Sequence, residues 1–169
     1  MEPLDTYLHL AKPADPAGFI AQCPAMFLVK RPTRQGPSQS QASTQIGFHT
    51  SHATQLVDPY PDEFRVSPIK KSPKNPFPDR MTVGRAPNCD VVVRMPSVSK
   101  VHAHLSYTSK GTLLLRSANS SNVTRHNTHL VDGDDEAEVR VGDTISLGAL
   151  NLVVMSSKDL YALLREQAR

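Results

Sequence analysis

The fold is decided by residues 81–93, which read MTVGRAPNCDVVV. Two runs that favour β-strands, 81–83 and 91–93, flank seven residues rich in turn formers, and this pattern predicts a strand, a loop and a second strand. The same alternation continues as far as residue 155. The further predicted strands are Ala103–Tyr107, Thr112–Leu115, Thr128–Val131, Ala137–Val141, Thr144–Leu147 and Leu150–Met155. Many short strands at this spacing predict an antiparallel β-sandwich or barrel instead of alternating helices and strands.

The first half of the chain has a different composition. Twelve of the 14 prolines lie in residues 1–80, and proline fixes φ and removes a backbone donor, which excludes a dense sheet or long helices there. Short helices are predicted over Leu4–Leu10 and Ala17–Gln22, the second with Asp15 as its N-cap. The apolar run Ala25–Val29 predicts a buried strand, and Phe64–Lys70 predicts another.

These patterns predict one mainly β domain, residues 25–156, with additions at both ends. Residues 1–24 are expected to form an extension of short helices. Residues 34–53 are rich in Ser, Gln, Thr and Gly, so a long flexible insertion is predicted at about 34–62. A short helix is predicted over 157–169, because Ser156 and Asp159 have capping-box spacing and Leu160, Leu163 and Leu164 share one helical face.

The composition limits the partners that we expect. The formal net charge is +3 and the basic residues are scattered, which favours a solvated surface over a nucleic-acid interface. No apolar stretch is long enough to cross a bilayer and the first residues lack a signal-peptide pattern, so we expect a soluble, cytoplasmic protein that does not bind membranes. Cys23 and Cys89 are expected to be a reduced pair, with a disulfide as the alternative.

Three predicted loops carry polar side chains that suit an anion. The first loop, residues 84–90, places Arg85 directly after a strand, and its planar guanidinium matches phosphate or carboxylate. The second loop, residues 96–103, contains the hydroxyl of Ser99 and the ammonium of Lys100. The third loop, residues 119–124, offers short polar side chains to a peptide backbone. A binding site centred on Arg85 and Ser99 is therefore predicted.

The order and spacing of these residues resemble the forkhead-associated (FHA) domain family, in particular its small proteins of bacterial type. The pattern is Gly-Arg at 84–85, Ser-Lys-Val-His at 99–102, Ser-Ser-Asn-x-Thr at 120–124, Asn127, Gly-Asp at 142–143 and Gly148. The resemblance implies an antiparallel β-sandwich of about eleven strands that binds phosphothreonine peptides. It also implies a signalling adaptor that is not an enzyme and needs no cofactor. The implied partner is a threonine-phosphorylated protein, such as a Ser/Thr kinase or its substrate.

The resemblance also implies roles for single residues. Arg85 would engage the phosphate and orient the peptide, Ser99 would bind the phosphate through its hydroxyl, and Lys100 would be a third phosphate contact. Ser121 would supply a hydroxyl in the third loop, and Asn122 would bind the ligand main chain. Two residues would have structural roles, Gly84 and His102.

The sequence departs from the family pattern in two places. Val123 and Thr128 stand where the family has glycine, and valine resists positive φ, so a different path is expected for the third loop. In the family, the ligand residue three positions after the phosphothreonine is often selected near the position of Ser97. A short uncharged residue there does not indicate selection of an acidic ligand residue.

The residues also bear on three other functions. A hydrolase built on Ser99 and His102 is disfavoured, because no nucleophile elbow precedes the serine. A metal site built on His126 and His129 with the nearby acidic run is disfavoured, because the run lacks the glycine of an EF-hand loop. The strongest alternative is an FHA-fold scaffold or interaction domain that binds its partner without phosphate.

Overall fold

The computed structural model describes residues 1–12, 15–33 and 58–168. Two β-sheets form a sandwich, and three helices pack on one of them. The strands are β1 (Glu2–Pro3), β2 (Met26–Lys30), β3 (Arg65–Pro68), β4 (Met81–Gly84), β5 (Val91–Val92), β6 (Ala103–Tyr107), β7 (Leu113–Ser117), β8 (Thr124–His126), β9 (His129–Val131), β10 (Ala137–Val139), β11 (Thr144–Leu147) and β12 (Leu150–Ser156). The helices are α1 (Asp5–Ala11), α2 (Pro16–Gln22) and α3 (Ser157–Gln167).

The strand order confirms the predicted mainly β architecture. One sheet has seven strands in the order β1-β3-β2-β12-β11-β8-β9, and the other has five in the order β10-β7-β6-β4-β5. Among the described strands, neighbours pair antiparallel except β4 and β5, which pair in parallel at the end of the five-stranded sheet. The loops that follow β4, β5 and β7 are the first, second and third loops of the predicted site.

The main hydrophobic core lies between the two sheets. The alternation of apolar residues along each strand turns one side chain in two toward this core. Leu28, Leu105, Leu115, Ile145 and Leu152 are each at most 1% exposed and belong to one buried cluster. These side chains hold the sandwich together and fix the strand ends from which the loops leave.

A second hydrophobic core lies on the outer face of the seven-stranded sheet, under the helices. Phe19 of α2 and Leu160 and Leu164 of α3 are fully buried there with Phe27 and Val29 of β2. Strand β2 is therefore buried on both faces, which explains why its first four residues, 26–29, are all apolar instead of alternating. The N-terminal helices thus share a core with the C-terminal helix.

Two capping predictions are confirmed by the helix ends. The Asp15 carboxylate accepts a hydrogen bond from the backbone of Gly18 at 2.7 Å, which begins α2. The Ser156 hydroxyl accepts from the backbone N–H of Asp159 at 3.1 Å, and the Asp159 carboxylate accepts from the backbone of Ser156, which completes a capping box at α3.

Some details differ from the sequence prediction. Strand β8 begins inside the segment predicted as a loop, and the two-residue β1 pairs with β3. Of the insertion predicted at about 34–62, residues 34–57 lie outside the described residues. Cys23 and Cys89 are free thiols, and burial raises the pKa of each. No helix in the described part of the chain is long and apolar enough to span a membrane.

Candidate functional site

The first and second loops are joined where β4 ends. The backbone N–H of Arg85 donates to the carbonyl of Ser99 at 2.9 Å, and that of Ala86 donates to the carbonyl of Lys100 at 3.0 Å. Gly84 makes this approach possible, because a Cβ added to it would lie 2.3 Å from the Lys100 carbonyl oxygen. Glycine is therefore required here for lack of space, since Gly84 does not have positive φ.

The side chain of Arg85 is exposed and is tied at its base to the second loop. Its Nε donates to the carbonyl oxygen of Val98 at 3.1 Å. A guanidinium has further N–H groups on its two terminal nitrogens, and these suit the oxygens of a phosphate. The bond at Nε restricts the rotamers of the side chain, which lowers the entropy lost when the arginine binds an anion.

His102 links the second and third loops from the interior. Its side chain is fully buried. Its Nδ1 accepts from the backbone N–H of Ser99 at 3.0 Å, so the neutral tautomer carries its proton on Nε2, which lies 3.3 Å from the carbonyl oxygen of Val123. Burial lowers the pKa of His102, and the bond to Val123 only partly offsets this. The imidazole is therefore held neutral as a bridge.

Two hydroxyls from different loops meet beside Arg85. The Oγ atoms of Ser99 and Ser121 lie 3.2 Å apart, Ser99 half-buried and Ser121 exposed. Each hydroxyl can donate to a phosphate oxygen and rotate to do so. Lys100 is exposed and follows Ser99 directly, so an ammonium group belongs to the same surface. The arrangement brings two hydroxyl donors together at the loop whose backbone also contacts Arg85.

The third loop is held by several hydrogen bonds around Asn122. The side-chain Nδ2 of Asn122 donates to the carbonyl oxygen of Ser97 at 2.8 Å. The main-chain carbonyl of Asn122 accepts from the hydroxyl of Ser120. The next carbonyl, that of Val123, accepts from the backbone N–H of Gly148 at 2.9 Å. The side chain of Asn122 thus connects the third loop to the second.

Val123 does not need the backbone conformation that a glycine would favour. Among the described residues other than glycine, Asn119 and Asn127 are those with positive φ, at 52° and 53°. The left-handed residue of the third loop is therefore Asn119, four positions earlier, and asparagine tolerates that conformation. Val123 keeps an ordinary φ, and its side chain is 47% exposed.

The acidic residue of the first loop faces inward and supports the loop. The side chain of Asp90 is fully buried and accepts from the backbone N–H groups of Ser72 and Thr82, both at 2.6 Å, and from the side chain of Asn75. Burial acts to raise the pKa of Asp90, but these hydrogen bonds outweigh it and the pKa lies below its usual value. The carboxylate therefore stays ionised without repelling an anion at the surface of the loop.

The geometry around Ser99 is not that of a catalytic serine. His102 contacts the backbone nitrogen of Ser99, while the Ser99 hydroxyl contacts Ser121, so the imidazole is not placed as a base for that hydroxyl. Of His126 and His129, the former bonds through Nε2 to Asp143 at 2.8 Å. Within the described residues, no group of three or more His, Cys, Asp or Glu side chains could hold a metal ion.

Several groups that build the site could not be identified from the sequence. The carbonyls of Val98, Ser97 and Val123 position side chains from other loops, and a main-chain acceptor leaves no mark on residue type. The sequence partly singles out Asp90, because a single acidic residue between Cys89 and a run of valines is unusual at the edge of a strand. Its partners come from residues 72–82, which no spacing rule connects to it.

Comparison with known proteins finds one family that resembles part of the chain. The family model described as FHA domain matches residues 81–148. No curated protein matches the chain. Solved structures with a similar fold include the N-terminal FHA domain of S. cerevisiae RAD53P in complex with a phosphothreonine peptide, which is 21% identical, covers 82% of this chain and 98% of its own, and has a TM-score of 0.46.

Two further solved structures that resemble the chain are also FHA domains. The FHA domain of the CT664 protein from Chlamydia trachomatis is 13% identical, with 78% of this chain and 98% of that chain covered and a TM-score of 0.47. The FhaA FHA domain, solved with the intracellular domain of Rv3910, is 25% identical, with 47% and 84% covered and a TM-score of 0.40. The matched segment 81–148 contains all three loops described above, so it is this part of the chain that matches the FHA family.

Proposed function

We propose that this protein binds a threonine-phosphorylated peptide or protein through Arg85, Ser99, Lys100, Ser121 and Asn122. The observation that carries the proposal is the contact between the hydroxyls of Ser99 in the second loop and Ser121 in the third, 3.2 Å apart, while the Ser99 carbonyl accepts from the backbone of Arg85. This arrangement gathers donors for an anion from three loops that are far apart in sequence.

The charge of the ligand fits these groups. A phosphothreonine carries about −1.5 to −2 charges near neutral pH and three strong acceptor oxygens. In our proposal Arg85 binds two of these oxygens, Ser99 donates to the phosphate, and Lys100 adds a mobile positive charge. Ser121 adds a second hydroxyl. The choice of phosphothreonine over another phosphorylated residue rests on the resemblance to the FHA family.

Three residues have supporting parts in the proposal. Asn122 binds the ligand main chain with the amide hydrogen and the oxygen that its bond to Ser97 leaves for a ligand. Gly84 and His102 do not touch the ligand. Gly84 lets the second loop lie against β4, and His102 holds the second and third loops together.

We further propose that the protein acts as a signalling adaptor without catalytic activity, with the FHA domain over residues 25–156 and the helices at both ends as its support. Its partner would be a Ser/Thr kinase or a substrate of one. A cytoplasmic location remains a prediction from the sequence.

One observation favours a second function, partner binding without phosphate. Asn122 already donates to Ser97, and the hydroxyls of Ser99 and Ser121 already contact each other. The polar groups of the loops thus bond to one another, as they would in a scaffold that only presents its surface. Under this alternative the affinity for a partner is independent of phosphorylation.

The two functions are separated by variants of the full chain. A phosphothreonine peptide library is titrated against wild type, Arg85→Ala and Ser99→Ala, with Arg140→Ala as the matched control at an exposed arginine 78% accessible on the turn after β10. We expect affinity to fall about 100-fold for Arg85→Ala and about 10-fold for Ser99→Ala, and to be unchanged in the control. Unaltered binding by Arg85→Ala, with the variant still folded, would contradict the assigned site.

A further inference from the structure

A cavity of about 380 Å³ lies at one edge of the sandwich. Strand β1 is the last strand of the seven-stranded sheet and β5 is the last of the five-stranded sheet, and the cavity is lined by Glu2 of β1 and Val92 of β5. The main-chain nitrogen of Met1 donates to the carbonyl of Val92 and joins the two sheet edges. Of the described residues that line the cavity, none belongs to the proposed phosphothreonine site, so the cavity is a separate space.

The lining of this cavity has more cationic than acidic side chains. Arg65, Lys74 and Arg94 line it, and the acidic side chain in its described lining is that of Glu2. In the described ranges, neither Lys74 nor Arg94 belongs to an ion pair. The parts of the chain outside these ranges contain no Asp or Glu, so they add no acidic side chain. The charges of Lys74 and Arg94 are therefore available to a group from another molecule.

Arg65 is held in place more firmly than the other two cations. Its guanidinium lies 3.6 Å from the ring centre of Tyr60 and forms an ion pair with Glu63 at 2.7 Å, and its side chain is 12% exposed. Glu63 offsets the charge of Arg65, so the surplus positive charge comes from Lys74 and Arg94. The Nε of Arg65 is buried and has no hydrogen-bond partner in the part of the chain that the structure describes. A buried N–H without an acceptor is rare in proteins, and it leaves this guanidinium with unused donors.

The cavity also adjoins the first and second loops. Pro87 of the first loop lines it and follows Arg85 by two residues, so the Cα atoms of these two are at most about 7 Å apart. Arg94 and Met95 line it as well and directly precede the second loop. A partner held at these loops brings its own surface close to the cavity, and this proximity raises the effective concentration of any acidic group there.

We infer that this cavity is a second anion site, which binds a carboxylate or phosphate group on an acidic segment of a protein partner. Lys74 and Arg94 supply the positive charge, and Arg65 supplies planar donors that are already held in place. Glu2 repels an anion and limits the affinity of the site. The inference stands apart from the proposed function, because its residues are different and it requires no phosphothreonine.

The test titrates inorganic phosphate into the full chain at constant ionic strength and follows the backbone amides by NMR. The chain carries Arg85→Ala to disable the proposed phosphothreonine site, and any purification tag is placed at the C-terminus because Met1 lines the cavity. We expect saturable shifts of the amides of Val92 and Arg94. The amide of Lys110, in the exposed turn after β6, should not shift.

Variants of charged residues in the same background localise the binding. Lys74→Gln and Arg94→Gln should each weaken phosphate binding about threefold to fivefold, as expected for exposed charge pairs. Glu2→Gln should strengthen it by a similar factor, because it removes the opposing carboxylate. The control is Lys110→Gln, an equal change at an exposed lysine, and its affinity should stay that of the Arg85→Ala chain. All four side chains are exposed, so we expect each variant to fold.

Two capped peptides distinguish the possible sources of the anion. One is a Gly-Ser peptide with three consecutive glutamates, the other has a single phosphoserine in their place, and the uncharged Gly-Ser peptide is the control. We expect at least one of the two charged peptides to shift the amides of Val92 and Arg94 and to bind less tightly after Arg94→Gln. The peptide with the higher affinity identifies the anion as carboxylate or phosphate.

Failure of this inference is distinguishable from failure of the proposed function. Shifts that do not saturate, or an affinity that Lys74→Gln and Arg94→Gln leave unchanged, would overturn the second site and leave the phosphothreonine site intact. Binding of inorganic phosphate without binding of either charged peptide would also overturn it, because the cavity would then hold only a free ion. Absence of phosphothreonine-peptide binding by the wild-type chain would overturn the proposed function alone.

Discussion

Gly84→Ala tests how tightly the second loop is held against the end of β4. The new Cβ would lie 2.3 Å from the Lys100 oxygen, 2.9 Å from the Lys100 carbonyl carbon and 2.9 Å from the Val101 Cα. All three are backbone atoms, so the loop itself has to move. Overpacking of this kind costs about 1–3 kcal/mol. Movement also weakens the two backbone hydrogen bonds to Ser99 and Lys100, each contributing about 1 kcal/mol.

The expected loss is therefore about 3–5 kcal/mol of the free energy of unfolding, or about 6–20 °C in Tm for a chain of this length. Urea denaturation followed by circular dichroism measures it. The matched control is Gly111→Ala, where φ is +79° and nothing lies within 4 Å of the added Cβ, so only backbone strain of about 1–2 kcal/mol is expected. The reasoning is refuted if Gly84→Ala costs no more than Gly111→Ala.

Three further predictions concern the supports of the site. Burial lowers the pKa of His102 below 6.5. As the pH decreases, the imidazole is therefore protonated in the unfolded chain before it is protonated in the folded one. The stability that the neutral imidazole contributes is complete above pH 6.5 and falls as the pH decreases below it. Denaturation across this range should show the fall, and His102→Gln should reduce it; an equal fall in the variant would contradict this. Asp90→Ala should lower the free energy of unfolding by about 3–5 kcal/mol, because it leaves buried donors without their acceptor. At the exposed Asp159 the same change should lower it by about 1 kcal/mol, and chemical denaturation measures both. If the N-terminal helices share the second core, Phe19→Ala should lower the free energy of unfolding by about 3–5 kcal/mol. Ile20→Ala should lower it much less, because Ile20 is 39% exposed. Equal losses in the two variants would argue against a shared core.

Much of the sheet architecture follows from local sequence. Strands β6 and β11 have the bounds that the alternation predicts, because apolar and polar residues alternate along each and the apolar ones are buried in the core. Strand β8 was missed, since Thr124–His126 is polar and short and is recruited by pairing with β11, which is a tertiary effect. The second core was missed because helices of seven residues are too short for their apolar residues to show which face is covered.

The candidate site, too, can be predicted from the sequence only in part. The chemistry of Arg85, Ser99 and Lys100 is visible in the side chains, and turn residues around them predict loops. What fixes these side chains is mostly main chain: carbonyls of Val98 and Val123 accept from Arg85 and His102. Any residue type offers such a carbonyl. Sequence therefore predicts which groups act and leaves their relative positions to the fold.

Binding of one peptide in two states tests the central claim most directly. Isothermal titration of the wild-type full chain with a phosphothreonine peptide, and with the same peptide unphosphorylated, measures what the phosphate contributes at Arg85 and Ser99. We predict measurable binding of the phosphorylated peptide and an affinity for its unphosphorylated form lower by at least about 100-fold. Equal affinities would contradict a phosphate site, and would leave the chain as an FHA domain that binds its partner by shape alone.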